Sequence, residues 1–156
     1  MISILRTDSV HPDFIALVKM LDADLAVRDG ADTIFYAPLN KTDAIRHVIV
    51  AYENELPTGC GAIRKFDTDS MEVKRMFTLP AARGRGVATR VLNELQNWSK
   101  ELGYEKCILE IGKRQPEAIA LYLKNGFVII PNYGKYVGIE NSVCFEKVLK
   151  KENAES

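Results

Sequence analysis

The segment Arg83-Gly84-Arg85-Gly86-Val87-Ala88-Thr89 carries the residue types that hold an anion. Its two glycines let backbone N–H groups approach a ligand with no Cβ in the way, and a helix beginning there adds the positive end of its dipole. Phosphate is the ligand chemistry this loop suits. The spacing excludes two nucleotide loops: there is no Gly-x-x-x-x-Gly-Lys-Ser/Thr run, and Gly84-x-Gly86 lacks the third glycine of a dinucleotide-binding turn. Residue types alone also allow an ordinary glycine-rich turn with two solvated arginines.

The neighbouring elements decide where the loop sits. Met71 to Leu79 reads as a strand stopped by Pro80, and Ala88, Val91, Leu92, Leu95, Trp98 and Leu102 recur at helical spacing until Gly103. Cys107-Ile108-Leu109 opens another strand, so strand, helix and strand predict a βαβ unit with parallel strands and a right-handed crossover. Alternation places Glu72, Lys74, Met76 and Thr78 on one face of the first strand, with Val73, Arg75 and Phe77 on the other.

Upstream, Phe14, Leu17, Val18, Leu21 and Leu25 give a helical stripe over Pro12 to Arg28, and Val48 to Tyr52 and Thr58 to Phe66 form a hairpin about Glu53 to Pro57. Downstream, Pro116 opens a short helix with Ala118, Leu121 and Tyr122 that Gly126 ends; Phe127 to Ile130 follows, and Ser142 to Leu149 is the last strand. Lys150 to Ser156 reads as a charged tail. The expectation is one α+β domain over residues 1–156. Its sheet is mixed, twisted and mostly antiparallel with one parallel pair, and helices cover both faces.

Composition narrows the function classes. The chain has 156 residues, 47% of them hydrophobic, with Lys+Arg and Asp+Glu balanced at 21 each. Neither disorder nor a polyanion-binding surface follows from that balance, so no nucleic acid and no membrane is expected as partner. A basic set of Lys74, Arg75, Arg83, Arg85 and Arg90 can be read as an RNA patch, which the neutral charge does not support. No apolar run or leader pattern stands out, and a cytoplasmic protein is the expectation. Cys60, Cys107 and Cys144 are widely spaced and read as buried thiols. His11 and His47 are isolated, so no metal is expected.

The loop resembles the acetyl-CoA loop Gln/Arg-x-x-Gly-x-Gly/Ala of the GNAT superfamily of N-acetyltransferases, matched by Arg83, Gly86 and Ala88. A second match is Gln115-Pro116-Glu117-Ala118-Ile119-Ala120-Leu121-Tyr122-Leu123-Lys124-Asn125-Gly126-Phe127, which looks like the family's Asn-x-x-Ala-x-x-Leu-Tyr-x-x-x-Gly-Phe segment. Together the matches run from about Glu72 to Phe127.

The resemblance implies transfer of an acetyl group from acetyl-CoA to a primary amine of a small molecule or peptide, in a ternary complex without a covalent enzyme intermediate. It assigns the backbone amides of Arg83, Gly84, Arg85, Gly86, Val87, Ala88 and Thr89 to the CoA pyrophosphate, and the main chain of Met76, Phe77 and Thr78 to the pantetheine arm. Gln115 stands where the family usually has Asn. Glu72 is implied as the base that takes the amine proton, with Glu110 as alternative base or ammonium partner, and Tyr122 as the acid for the leaving thiolate. Tyr36, Tyr133 and Tyr136 lie in loop-like aromatic segments suited to the acceptor. A non-catalytic acyl-CoA sensor of the same fold is the alternative. Many relatives form homodimers, and no residue here decides that point.

Overall fold

The computed structural model describes residues 1–29 and 45–149. Among them a seven-stranded sheet runs in the order β1-β2-β3-β4-β5-β7-β6. The strands are β1 (Ile2–Thr7), β2 (His47–Glu53), β3 (Leu56–Lys65), β4 (Ser70–Thr78), β5 (Lys106–Gly112), β6 (Val128–Ile130) and β7 (Ser142–Val148). The helices are α1 (Pro12–Asp29), α2 (Val87–Glu101) and α3 (Pro116–Lys124). Only β4 and β5 pair in parallel; the other neighbours are antiparallel. The α+β architecture therefore matches the expectation.

Two cores form on the two faces of the sheet. Phe14, Leu17, Val18 and Leu21 of α1 pack with Val48, Val50, Cys60, Ala62 and Phe77. On the other face Val87, Val91, Leu92 and Leu95 of α2 pack with Ile49, Ile63, Met71, Val73, Leu109 and Phe145. Four such α2 side chains, each 0–1% exposed, contribute roughly 1.5–3 kcal/mol apiece before entropy is subtracted.

Strand β1 is absent from the sequence expectation. Ile2-Ser3-Ile4-Leu5-Arg6-Thr7 does alternate, but it is short and at the sheet edge, paired only to β2. The 142–148 strand enters between β5 and β6. The Asp32 to Tyr36 segment and the Lys150 to Ser156 tail lie outside the described residues.

Candidate active site

Strands β4 and β5 pair at Ser70 with Lys106, Met71 with Cys107 and Glu72 with Ile108. Beyond these pairs β4 keeps only β3 and β5 keeps only β7. The two strands diverge into a wedge, which with α1, α2 and α3 encloses a cleft of about 450 Å³.

A β-bulge lies in the β4 wall of that wedge. Ala62 faces Lys74 and Cys60 faces Phe77, so Arg75 and Met76 together oppose the single residue Gly61. Arg75 adopts φ +60°. The bulge corrects the expected alternation: Met76 joins Val73 under α2, whereas Arg75 bonds Asp22 of α1. Gly61 makes this packing feasible, because a Cβ there would lie 2.5 Å from the Met76 sulfur and 2.9 Å from both Val91 and Leu95.

At one end of the cleft, Gly86 caps α2 at φ +84° with no side-chain acceptor for the first-turn N–H groups. A Cβ at Gly84 or Gly86 would have nothing within 4 Å, so this cradle is open to a ligand. Arg83 Nε donates to the Thr78 carbonyl at 3.1 Å. Arg85 Nε and Nη2 donate to Glu53 at 3.2 and 2.7 Å, and its Nη1 donates to the Ala81 carbonyl at 3.0 Å. The Arg85 side chain thus ties the loop to β2 and does not line the cleft. Arg83, Gly84, Gly86, Val87, Ala88 and Thr89 do, together with Met76, Phe77 and Thr78.

Tyr122 and Glu110 line the wall with Gln115. The Tyr122 ring packs edge-on to Phe127 at 5.6 Å and tilted on Phe145 at 5.9 Å, and burial pushes its phenol pKa up. Glu110 Oε2 accepts from Ser142 Oγ at 2.6 Å. Gln115 precedes α3, and its side chain makes no cap bond.

Glu72 is placed differently from Glu110. It is 4% exposed, accepts from Tyr133 Oη at 2.7 Å and has Arg64 Nε at 3.7 Å. It does not line the cleft; Lys74, two residues on, does. Lys74 Nζ donates to Tyr136 Oη at 3.3 Å, and desolvation, partly offset by Glu72, lowers its pKa. Tyr133 and Tyr136 do not line the cleft either. They form an edge-to-face pair with ring centroids 5.8 Å apart, bonded to Glu72 and Lys74. Burial raises both phenols, helped at Tyr133 by Glu72 and at Tyr136 by Glu110. Tyr36 lies outside the described residues.

The cleft also includes groups that sequence reasoning missed as site residues: Lys74, Arg75, and Leu21, Asp24 and Leu25 of α1. One signal was available. Two successive cations in a strand covered on both faces cannot both reach water by alternation, so a bulge or a polar cavity must receive them. Of the five cations read as a basic set, Lys74 and Arg75 are buried and Arg85 is engaged with Glu53.

All three cysteines are buried. Burial pushes the thiol of Cys60 up to about 12 and that of Cys144 to about 11, and raises Cys107 as well. None of them is poised as a nucleophile. Among the described residues there is no grouping of His, Cys, Asp and Glu that could hold a metal ion, and no helix is long and apolar enough to cross a membrane.

Residues 44–129 match the family model described as an acetyltransferase (GNAT) domain. The chain is 32% identical to an IAA acetyltransferase of Azospirillum brasilense over 153 residues, 95% of this chain and 98% of that relative. It belongs to the GNAT acetyltransferases. A solved chain from Klebsiella pneumoniae assigned to the acyl-CoA N-acyltransferases shares the fold of this GNAT acetyltransferase with TM-score 0.81 and 27% identity, covering 96% of this chain and 99% of that one. A GNAT family acetyltransferase from Elizabethkingia anophelis, solved with acetyl-CoA bound, shares the fold with TM-score 0.66 at 17% identity, covering 95% and 98%.

Proposed function

We propose that this GNAT acetyltransferase moves an acetyl group from acetyl-CoA directly to a primary amine of a small molecule or peptide, both held in the cleft at once. The observation that carries this reading is the wedge itself. Its lining combines the anion cradle at Gly84 and Gly86, the diverging edges of β4 and β5, and a carboxylate and a phenol, Glu110 and Tyr122.

The residues fit acetyl-CoA. The open space beside Gly84 and Gly86 and the uncapped N–H groups of α2 suit its pyrophosphate. The main chain of Met76, Phe77 and Thr78, free of β5, suits the amides of its arm in the manner of an added strand. When bound, acetyl-CoA would supply an activated acyl group and a sulfur that must be protonated as it leaves.

The remaining chemistry is proton handling. An amine of pKa about 10.4 lies roughly 4.6 kcal/mol from its neutral form at pH 7. Glu110, in the cleft wall, takes the amine proton. Glu72 acts at one remove by fixing Tyr133 and opposing the charge of Lys74. Tyr122 holds a proton on Oη, where its raised pKa keeps it a donor, and delivers it to the departing sulfur. The buried thiols favour direct transfer over an acyl-cysteine.

Release of CoA thiol from acetyl-CoA in the presence of an amine panel tests this reading. Amine-dependent release with stoichiometric N-acetyl product is expected. Binding of acetyl-CoA without release from any amine would instead make the chain an acyl-CoA sensor.

A further inference from the structure

Ser142 opens β7 opposite Gly112 of β5, and Glu110 stands two residues before Gly112, opposite Cys144. Residues two apart on a strand share a face, so Ser142 and Glu110 are diagonal neighbours on one side of the β5–β7 pair, within reach of a long side chain. The residue directly opposite Ser142 has no side chain, and the hydroxyl turns along the sheet instead. Ser142 Oγ donates to Glu110 Oε2 at 2.6 Å, the length of an O–H bond to an ionised carboxylate.

The backbone holds this hydroxyl in place. Ser142 N–H donates to the Ile139 carbonyl at 3.1 Å, and the Ser142 carbonyl accepts from Asn132 Nδ2 at 3.2 Å. Ser142 is 4% exposed and does not line the cleft, whereas Glu110 does. A general base must stand within about 2.6–3.2 Å of the proton it takes, yet an unrestrained glutamate side chain samples many rotamers. Lys74 is near enough for Glu110 to offset part of its desolvation, so a carboxylate released by Ser142 has a cation to turn to.

We propose that Ser142 is a positioning residue for acetyl transfer: its hydroxyl fixes one oxygen of Glu110 and so aims the carboxylate at the amine of the bound acceptor. This rests on the reading of Glu110 as the base. Ser142 touches neither the acceptor nor acetyl-CoA and exchanges no proton in the reaction; its effect passes through Glu110.

The test is a double-mutant cycle of Ser142→Ala and Glu110→Gln in the full chain, read as steady-state release of CoA thiol with whichever amine of the panel turns over fastest. Ser142→Ala is expected to lower kcat by about 10- to 100-fold, the cost of a misplaced reacting group, with the KM for acetyl-CoA nearly unchanged. In the Glu110→Gln background the same change should alter kcat by no more than about 2-fold, because the group it positions is already gone. Ser142→Thr keeps a hydroxyl on a side chain suited to a strand and is expected to return most of the rate. An unchanged kcat in Ser142→Ala, a loss of equal size in both backgrounds, or a Ser142→Thr variant as slow as Ser142→Ala overturns the proposal, while the base role of Glu110 stands on the rate loss of Glu110→Gln. Full activity in Glu110→Gln removes that base and the role of Ser142 with it. No thiol release by the wild type from any amine overturns acetyl transfer itself, and with it this role.

Discussion

Tyr133 donates its hydroxyl proton to Oε2 of Glu72 at 2.7 Å, and Glu72 stands behind the cleft wall that Glu110 lines. Glu72 pairs with Ile108 and Glu110 follows on the same strand, yet the two carboxylates have different access to a bound amine. Their variants separate the roles.

Glu110→Gln is expected to lower kcat by about 10²- to 10⁴-fold with CoA affinity nearly unchanged. Glu72→Gln is expected to cost less in rate. Steady-state kinetics with CoA titrations checks both, and a larger rate loss in Glu72→Gln would return the base role to Glu72.

Tyr133→Phe removes a donor from a buried carboxylate. A loss of about 1–3 kcal/mol in urea unfolding is expected, with a kinetic profile that resembles Glu72→Gln. Unchanged stability would mean that the Tyr133–Glu72 bond contributes nothing net.

Tyr122→Phe keeps the ring against Phe127 and Phe145. The expected loss is about 10²- to 10⁴-fold in kcat with the KM for acetyl-CoA nearly constant. Because burial raises the Tyr122 pKa above 10, the phenol stays protonated as pH rises, and wild-type kcat should show no descending limb between about pH 8 and 10. A limb there that vanishes in Tyr122→Phe would contradict its placement.

Lys74 gives a stability prediction with a definite sign. Its folded pKa is lowered from 10.5 by desolvation, so between the folded value and 10.5 the unfolded chain binds more protons and stability rises with pH. Below the folded value the buried charge imposes its full penalty. Lys74→Met should therefore raise the melting temperature near pH 7, and this gain should shrink as pH climbs through that window. A gain independent of pH would assign the effect to packing.

Much of this fold is legible in local pattern. The α2 stripe of Val91, Leu92 and Leu95 and the glycines before it locate the βαβ crossover, because both periodicity and positive-φ turns leave marks in residue type. Tyr122 and Gln115 are found through the Gln115 to Phe127 match, and the structure brings both to the cleft. The burial of Glu72 is not legible, since it depends on Tyr133 returning across 61 positions. Arg75 is missed for a related reason: alternation assumes regular pairing, and the bulge arises from Gly61 on a neighbouring strand and α2 pressing on it. Tyr133 and Tyr136 look like loop aromatics in sequence, yet a short helical turn at Gly134–Tyr136 and the Asn132 Nδ2 bonds to the Tyr136, Ile139 and Ser142 carbonyls fold them inward.

If the Gly84–Gly86 cradle at the start of α2 holds the phosphates of acetyl-CoA, calorimetric titration with acetyl-CoA should separate the wild type from Gly86→Glu. Micromolar binding to the wild type and at least about 10-fold weaker binding to the variant are expected, because the added carboxylate enters the space open beside Gly86 and repels the pyrophosphate. Equal binding by the two proteins, or no binding by the wild type, would contradict it.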